Sequence, residues 1–390
     1  MSSDRLPVNF DHNATTPVDP RVLDAMLPYF REQYGNPSSG HSTGQQARNA
    51  VARAREQVAA LVNAHPSQVI FTSGGTEANN LALKGIAAKR SGSIAISAIE
   101  HASIIGPAEL LQSKGYPVRT IGVDANGRVT REQIQQVIAN AEPAVSLLSV
   151  MMANNETGVV QNIAELMDEV RHTDVIVHTD AVQALGKMKV DFKMLGVHMM
   201  SLSAHKIYGP KGVGALVVDK AVDLESLLQG GGQERGYRAG TENVAGIVGF
   251  GEAAELASTQ LASRSAHMMQ LRLQLEAGIK QALPKAIIFA VDENRLCNTV
   301  FMSIPGIDGE TLLINLDQAG IAISSGSACE SASLEPSHVL MAMGVDNNIA
   351  RCAIRVSLGK DSTPANIEYF IQQLKQHVAM LQSMAVVMSG

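Results

Sequence analysis

Lys206 has the surroundings expected of a lysine that does covalent chemistry. It follows the apolar residues 199–203 and precedes a loop, residues 207–212, that is rich in glycine and proline. Burial in such a position lowers the pKa of an amine, and a neutral amine can attack a carbonyl carbon to form an imine. The alternative is an ordinary loop lysine that faces water, so the interpretation depends on the rest of the chain.

Other polar side chains also follow apolar, strand-like runs. Thr76, His101, Asn155 and Asp180 all fall, like Lys206, where a predicted strand ends. Ligands of parallel sheets bind at these carboxyl ends. An aspartate there is costly to bury unless it meets a cation or several donors, and a protonated pyridine nitrogen would meet that need. Taken singly, Asp180 could instead cap a helix and His101 could be structural.

Residues 73–76, Ser-Gly-Gly-Thr, follow the strand-like residues 69–71 and open a predicted helix. Free backbone N–H groups at the start of a helix favour a phosphate, and Gly75 and Thr76 would lie nearest to it. The same residues also make an ordinary helix start. The chain contains no Walker motif, so this is not a nucleotide-binding P-loop.

Cys329 is a candidate nucleophile. Small polar residues surround it in residues 324–336, which predicts an exposed loop in which a thiol can move and ionise. Cys297 and Cys352 adjoin predicted strands and are assigned to packing. Arg355, a charge within the strand-like residues 353–357, could grip a carboxylate with two hydrogen bonds, or it could form a cross-strand ion pair.

The elements that must position these residues alternate along the first part of the chain. Apolar strand-like runs alternate with helical periodicity, which predicts a mainly parallel sheet covered by helices on both faces. The strand-like runs are residues 93–97, 144–151, 175–179, 199–203 and 213–218. The helical segments are residues 76–89, 130–139 and 163–171.

The second part of the chain has a different pattern. A glycine-rich interval, residues 230–240, precedes a predicted long helix over residues 243–282. Strands at 287–291, 299–304 and 353–358 and helices at 309–319 and 364–384 then indicate a smaller α+β domain. We expect a large α/β domain over residues 15–258, and a small domain of residues 1–14 and 259–390 that carries the loop of Cys329.

Composition excludes several classes of protein. A chain of 390 residues is long enough for two domains, and a net charge of −6 argues against a nucleic-acid-binding or lipid-binding protein. Three irregularly spaced cysteines do not make a disulfide framework or a zinc site, and we expect no metal. The first residues lack a signal-peptide core and no apolar run is long enough to span a bilayer, which predicts a cytoplasmic protein without membrane contact.

Together these segments resemble the cysteine desulfurases, which are pyridoxal 5'-phosphate enzymes of the aspartate aminotransferase fold (fold type I). The resemblance extends from about residue 8 to residue 360. It departs from the family at His12, where asparagine or a small residue is more familiar. The matching segments are residues 13–17, 35–39, 73–77, 153–158, 178–183, 203–206, 236–243 and 324–335. The fold implied is a large domain with a mainly parallel seven-stranded sheet and a smaller α+β domain.

The resemblance also implies roles for individual residues. Lys206 would hold the cofactor aldehyde, Asp180 would pair with the ring nitrogen, and His101 would stack on the ring and move protons. The remaining contacts are Gln183 at the phenolate oxygen; Gly75, Thr76, Ser203 and His205 at the phosphate, with Thr241 from the second subunit of a homodimer; and Asn155, Arg355 and Asn36 at the substrate carboxylate.

The reaction implied is the removal of sulfur from L-cysteine. Cys329 would take the sulfur as a persulfide, L-alanine would leave, and a sulfur-acceptor protein would receive the sulfur. Iron–sulfur cluster assembly, tRNA thiolation and DNA phosphorothioation are the candidate destinations. The alternatives are a selenocysteine lyase or an aminotransferase of the same fold, and a relay scaffold that carries sulfur on Cys329 without a cofactor.

Overall fold

The structure is a computed structural model that describes residues 8–325 and 335–389, with side chains through residue 384. The strands are β1 (Val8–Asn9), β2 (Val69–Thr72), β3 (Ser93–Ser97), β4 (Val118–Ile121), β5 (Val145–Ser149), β6 (Ile176–Asp180), β7 (Met199–Ser203), β8 (Gly214–Val218), β9 (Ile287–Ile288), β10 (Thr299–Ser303), β11 (Ile321–Ala322), β12 (Ser324–Ser325) and β13 (Ala353–Ser357). The helices are α1 (Pro20–Met26), α2 (Pro28–Arg31), α3 (Ser42–Leu61), α4 (Gly75–Lys89), α5 (Ala102–Ser113), α6 (Arg131–Ala139), α7 (Ile163–Val170), α8 (Phe192–Leu195), α9 (Val244–Thr259), α10 (Leu261–Ala282), α11 (Gly309–Gln318), α12 (His338–Ala342), α13 (Asn347–Arg351) and α14 (Pro364–Ser389). Short 3-10 turns occur at Pro66–Gln68, Ala204–Lys206 and Gln233–Gly236.

The large sheet has seven strands in the order β2-β8-β7-β6-β5-β3-β4. Strand β8 runs antiparallel to both of its neighbours, and the other neighbouring pairs are parallel. The expectation of a mainly parallel seven-stranded sheet is therefore confirmed.

Apolar side chains alternate between the two faces of this sheet. Ile70 of β2 packs in a core cluster with α4 and α5, whereas Phe71 packs on the opposite face with α3 and α9. All residues of β2, β3, β5, β7 and β8 are buried because both faces of the sheet are covered by helices. This places the polar chemistry at the ends of the strands.

A close approach of the backbone fixes the turn that precedes α4. A Cβ atom added to Gly214 at the start of β8 would lie 2.6 Å from the carbonyl carbon of Gly74 and 2.6 Å from the carbonyl oxygen of Leu202. Only glycine leaves room there. The start of α4 is thus held tightly against β7 and β8.

A second core lies in the C-terminal part of the chain together with residues 8–10. An antiparallel sheet of order β12-β13-β10-β9 packs against α10, α11 and α14, and Phe10 meets Phe370 edge-on with ring centroids 5.7 Å apart. The division of the chain into residues 15–258 and the remainder stays a prediction.

The expected single helix over residues 243–282 is wrong. Gln260 leaves the helical conformation at φ −107° and ψ 6°, which ends α9 and starts α10. The break lets α9 pack against α3 while α10 packs against α14, so the two helices serve different cores. Within the described residues, no helix has the length and apolar character needed to cross a bilayer.

Candidate active site

The carboxyl ends of the central parallel strands open onto a cavity of about 340 Å³. Residues at the ends of strands of the large sheet form part of its lining, and β13 and the segment after β1 contribute the rest of one side. The lining residues are Asp11, Asn13, Ala14, Gly75, Thr76, Asn79, His101, Ser103, Met151, Asn155, Asp180, Val182, Gln183, Ser203, His205, Lys206, Ser324 and Arg355.

The cavity brings together most of the residues that the sequence singled out. All of these except Arg355, which lies in β13 of the other sheet, end or follow a strand of the seven-stranded sheet. Asn36 and Thr241 are exposed and do not line it within the single chain. Cys329 lies outside the described residues, although Ser324, shortly before it, lines the cavity. The roles assigned to these residues stay predictions.

Lys206 ends the 3-10 turn that follows β7, and it is partly buried. Its Nζ donates to the carbonyl oxygen of Ala14 at 2.7 Å and to that of Asn13. Two residues later, Tyr208 adopts φ 69°, and its hydroxyl accepts from the backbone N–H of Lys360 at 2.6 Å. The hydrogen bonds of Lys206 and Tyr208 therefore hold the segment that carries the lysine in place.

One end of the cavity suits a phosphate. Helix α4 begins at Gly75 without a side-chain cap, so its first backbone N–H groups are available to a ligand. The Oγ atom of Ser203 is buried and has no hydrogen-bond partner among the described residues. Burial, followed by the charges of Lys206 and Lys211, lowers the pKa of His205 to about 4, so this ring is neutral near pH 7.

Another part of the cavity suits a cationic nitrogen. Asp180 is only 5% exposed, and its carboxylate accepts from Asn79 Nδ2 at 2.7 Å and from the backbone N–H of Val182 at 2.9 Å. An enclosed carboxylate with few donors is a good partner for a protonated ring nitrogen. The end of β6 places Asp180 here, as the sequence pattern predicts.

His101 caps α5 and faces the same cavity. Burial lowers its pKa, and the nearby positive charges of Lys206, His338 and Arg355 act in the same direction, while Asp180 opposes them. The Nδ1 atom lies 2.8 Å from Ser103 Oγ and accepts from the backbone N–H of Ser103 at 3.1 Å. Because its pKa is lowered, the ring is neutral near pH 7.

Arg355 reaches the cavity from β13. Its Nη2 atom forms an ion pair with Asp11 Oδ1 at 2.8 Å, and Nη1 donates to the carbonyl oxygen of Asn155 at 3.1 Å. Its Nε atom is buried and has no partner among the described residues. The guanidinium thus keeps capacity for an anion, although Asp11 already occupies part of it.

Asn13 contacts residues from several parts of the site, and only the resemblance of its segment, not any pattern of residues, pointed to it. Its backbone oxygen accepts from Gln183 Nε2 at 3.0 Å and from Lys206, and its Oδ1 accepts from Lys187 Nζ at 2.9 Å. Its Nδ2 donates to Asn155 and to Thr299. Lys187 was also missed; burial, with Lys206 and Arg355 adding to it, lowers its pKa to about 7.

Glu100 lies directly before His101 and is fully buried. Its Oε1 atom accepts from Ser97 Oγ at 2.6 Å and from the backbone N–H of Met151 at 2.7 Å. Burial raises its pKa from the usual 4.5 to about 8 despite these two donors. The folded protein consequently holds a proton here that the unfolded chain has lost above pH 4.5.

This proton predicts a pH dependence of stability. The contribution of Glu100 is fully present below pH 4.5 and is lost as the pH rises through about 8, at up to about 1.4 kcal/mol per pH unit. We expect that urea unfolding of Glu100→Gln between about pH 6 and pH 8.5 shows a smaller loss of stability than the wild type. Glu109→Gln, an exposed site on α5, is the control. Parallel pH profiles for Glu100→Gln and the wild type would exclude the buried proton.

The fold and the donors of the cavity together fit a phosphorylated pyridine aldehyde, because one cavity holds the N–H groups of a helix start, a hydroxyl without a partner among the described residues, an enclosed aspartate and a lysine. This defines a pyridoxal-phosphate-dependent enzyme of fold type I. A sequence profile described as aminotransferase class-V matches residues 8–370. The cysteine desulfurase IscS of Clostridium botulinum is 43% identical over 383 residues, which cover 97% of this chain and 96% of that protein. The chain belongs to the class-V aminotransferase family and, within it, to the cysteine desulfurases, which depend on pyridoxal phosphate.

Solved structures agree with this assignment. A NifS-like protein superimposes with a TM-score of 0.90 at 39% identity, covering 96% of this chain and all of its own. A protein described as SspA in complex with cysteine has a TM-score of 0.78 at 34% identity, covering 91% of this chain and all of its own. The fold class expected from the sequence is confirmed.

Proposed function

We propose that this protein is a cysteine desulfurase that releases L-alanine from L-cysteine and passes the sulfur through Cys329 to an acceptor protein. The observation that carries the proposal is the cavity in which Lys206, Asp180 and the unpartnered Ser203 hydroxyl converge. Family membership supplies the reaction class, and the relative in complex with cysteine supports the substrate.

Residues that line the cavity would hold pyridoxal phosphate. Gly75, Thr76, Ser203 and His205 would bind its phosphate, and Asp180 would bind its ring nitrogen. His101 would lie on the ring face and Gln183 at the phenolate oxygen. When bound, the cofactor supplies an aldehyde carbon for the lysine and an electron-poor ring that stores negative charge.

Arg355 and Asn155 would hold the carboxylate of L-cysteine, with Asn36 as a further candidate. The buried Nε atom of Arg355 supports this assignment because it lacks an acceptor among the described residues. The ion pair with Asp11 keeps the guanidinium oriented until the substrate arrives. A bound carboxylate would share the guanidinium with Asp11.

Lys206, once its amine is free, would remove the α-proton of the substrate. Cys329, as a thiolate, would attack the sulfur of the substrate, so that an S–S bond forms while the C–S bond breaks. The β-carbon that loses the sulfur then takes up a proton, the α-carbon regains the proton that Lys206 removed, and the product leaves as alanine. A thiol with an ordinary pKa of about 8.5 is only a few per cent ionised near neutral pH, so Cys329 needs help to ionise.

We further propose a homodimer in which Thr241 reaches the phosphate site of the partner subunit. Thr241 is exposed and does not line the cavity of its own chain, which is compatible with a shared site. Phe30 and Tyr34, which are 63% and 82% exposed, provide apolar surface that an interface would cover. A cytoplasmic location is part of this proposal, because Cys297 and Cys352 are free thiols, as is usual in a reducing compartment.

The acceptor would be a protein of iron–sulfur cluster assembly, tRNA thiolation or DNA phosphorothioation. The enzyme is incubated with ³⁵S-labelled cysteine in a cell extract and is then recovered together with the proteins bound to it. We expect the label on one acceptor protein. The acceptor that carries the label on its own cysteine names the pathway.

The activity is tested by incubating the purified protein with pyridoxal phosphate, L-cysteine and a thiol reductant. We expect alanine and sulfide in equal amounts, and a yellow colour that borohydride bleaches. A keto acid without sulfide would indicate an aminotransferase, and preferential turnover of selenocysteine would indicate a lyase. Sulfur transfer by a colourless protein would indicate a relay scaffold.

A further inference from the structure

Two residues without an assigned role connect Asp180 with His101. Asn79 of α4 donates from Nδ2 to Asp180 Oδ2 at 2.7 Å and to Ser103 Oγ, also at 2.7 Å. Ser103 Oγ in turn lies 2.8 Å from His101 Nδ1. All four side chains line the cavity, and Asn79 and Ser103 are only 1% and 7% exposed. A continuous chain of hydrogen bonds thus joins both groups that would contact the ring.

The direction of every hydrogen bond in this chain follows from Asp180. A carboxylate only accepts, so the nitrogen of the Asn79 amide must face it. The reversed amide would place its oxygen against the carboxylate oxygen, and in the observed orientation the Asn79 Oδ1 atom points away, without a partner among the described residues. The second hydrogen of Nδ2 then goes to Ser103 Oγ.

Ser103 continues the same direction. Its oxygen accepts from Asn79, which leaves its hydroxyl hydrogen for His101 Nδ1. The backbone N–H of Ser103 also points at Nδ1, at 3.1 Å. Two donors therefore converge on Nδ1. This nitrogen can accept from them only through its lone pair, so it cannot carry a hydrogen itself.

We propose that Asn79 and Ser103 are positioning residues that hold the His101 imidazole as the tautomer with its hydrogen on Nε2. His101 then presents a hydrogen-bond donor, not a proton acceptor, to the cavity. The inference rests on the proposed function only in treating His101 as part of the active site.

The charged groups around the ring favour the same neutral state. Lys206 follows β7, His338 belongs to α12 and Arg355 belongs to β13, and their positive charges add to burial in lowering the pKa of His101. Asp180 at the end of β6 acts in the opposite direction. Its carboxylate, however, is already bound to Asn79 and to the Val182 N–H.

This chain of hydrogen bonds limits how His101 can take part in catalysis. The ring cannot accept a proton at Nε2 until it has given up the hydrogen that is there. Neither Ser103 nor Asn79 can replace that hydrogen through Nδ1 without becoming an anion itself, which is unfavourable in a buried position. In the resting protein the first proton must therefore be taken by another base, and Lys206 is the candidate in the cavity.

The test is ¹⁵N NMR of the full-length protein labelled at histidine, as purified and again after the cofactor has been stripped. The His101 signals are assigned as those that vanish in His101→Gln. We expect Nδ1 to show the shift of an unprotonated nitrogen and Nε2 that of a protonated nitrogen, in both samples. The opposite assignment, or an even mixture of tautomers, would overturn the proposal.

Variants separate positioning from a general structural role. Ser103→Ala removes one donor to the neutral ring, so the pKa of His101 should rise by about half to one unit. Ser103→Thr keeps the hydroxyl and should restore the wild-type value. If Ser103→Ala folds normally and leaves the His101 titration unchanged, the hydroxyl does not set the tautomer.

Asn79→Asp tests the direction of the chain in a second way. The new carboxyl would share one proton with Asp180, 2.7 Å away in the wild type, and its other oxygen would accept the Ser103 hydroxyl. This frees Ser103 Oγ to accept from Nδ1–H, so the pKa of His101 should rise. A fall in that pKa would contradict the proposed direction of the chain. Because the NMR readout needs neither cysteine nor turnover, it can fail while the desulfurase activity stands, and the reverse also holds.

Discussion

Lys206→Ala should abolish the release of sulfide from L-cysteine, with a loss of at least about a thousandfold in kcat. No other lysine lines the cavity formed by the described residues, so nothing there can replace its bond to the cofactor aldehyde or its action as a base. The direct measurement is mass spectrometry after borohydride reduction with pyridoxal phosphate. The peptide that contains residue 206 should carry the cofactor mass in the wild type, and no peptide should carry it in the variant.

Lys211→Ala is the matched control, because Lys211 is an exposed lysine five residues further along the chain. It should keep both the activity and the reduced cofactor peptide. Cofactor mass on a different lysine of the Lys206→Ala protein, together with normal turnover, would show that Lys206 is the wrong residue.

Cys329→Ala should leave the yellow, borohydride-sensitive colour intact and yet release no sulfide, again with a loss of at least about a thousandfold. The cofactor contacts proposed here all come from residues other than Cys329, whereas the C–S bond cannot break productively without a thiolate to take the sulfur. The measurement pairs an absorbance spectrum with sulfide release, and trapping of a persulfide on the wild-type peptide that contains Cys329.

Cys352→Ala serves as the control for removal of a thiol, since Cys352 is buried after α13 and does not line the cavity. It should form the trapped persulfide as the wild type does. Normal turnover by Cys329→Ala would remove Cys329 from the mechanism and favour a reaction that needs only the cofactor.

The sequence predicted the site well where a polar residue ends or directly follows an apolar, strand-like run. Asp180 and Lys206 directly end or follow apolar strands, so the topology of a parallel sheet alone brings them to one edge. Asn79 was within reach of the same reasoning. It lies four residues after Gly75, one helical turn further along α4, and so shares a face with the start of that helix.

Other contacts depend on tertiary structure and have no local signal. The ion pair between Asp11 and Arg355 joins residues separated by most of the chain. The buried amine of Lys187 is satisfied by Asn13 and Gln183, and no sequence pattern marks a lysine for such a position. Long-range pairs of this kind arise from how the two cores pack, which periodicity does not report.

Helix α5 and strand β4 are among the elements that were missed, and in both the reason is local. Helix α5 contains Pro107, which breaks the expected helical pattern, although the structure accommodates it. Strand β4 lies at the edge of the sheet and is only partly buried, so it lacks the continuous apolar run that identified its neighbours.

The hydrogen bonds of Asn13 have a consequence for the synthesis of the protein. The Asn13 side chain is held by Asn155, Lys187, Asn298 and Thr299, and its backbone N–H donates to Ser357 Oγ at 2.9 Å. During synthesis Asn13 leaves the ribosome 344 residues before Ser357, the last of these partners along the chain. The pocket can therefore reach its final shape only after Ser357 has left the ribosome, so the site for vitamin B6 is incomplete on any shorter chain.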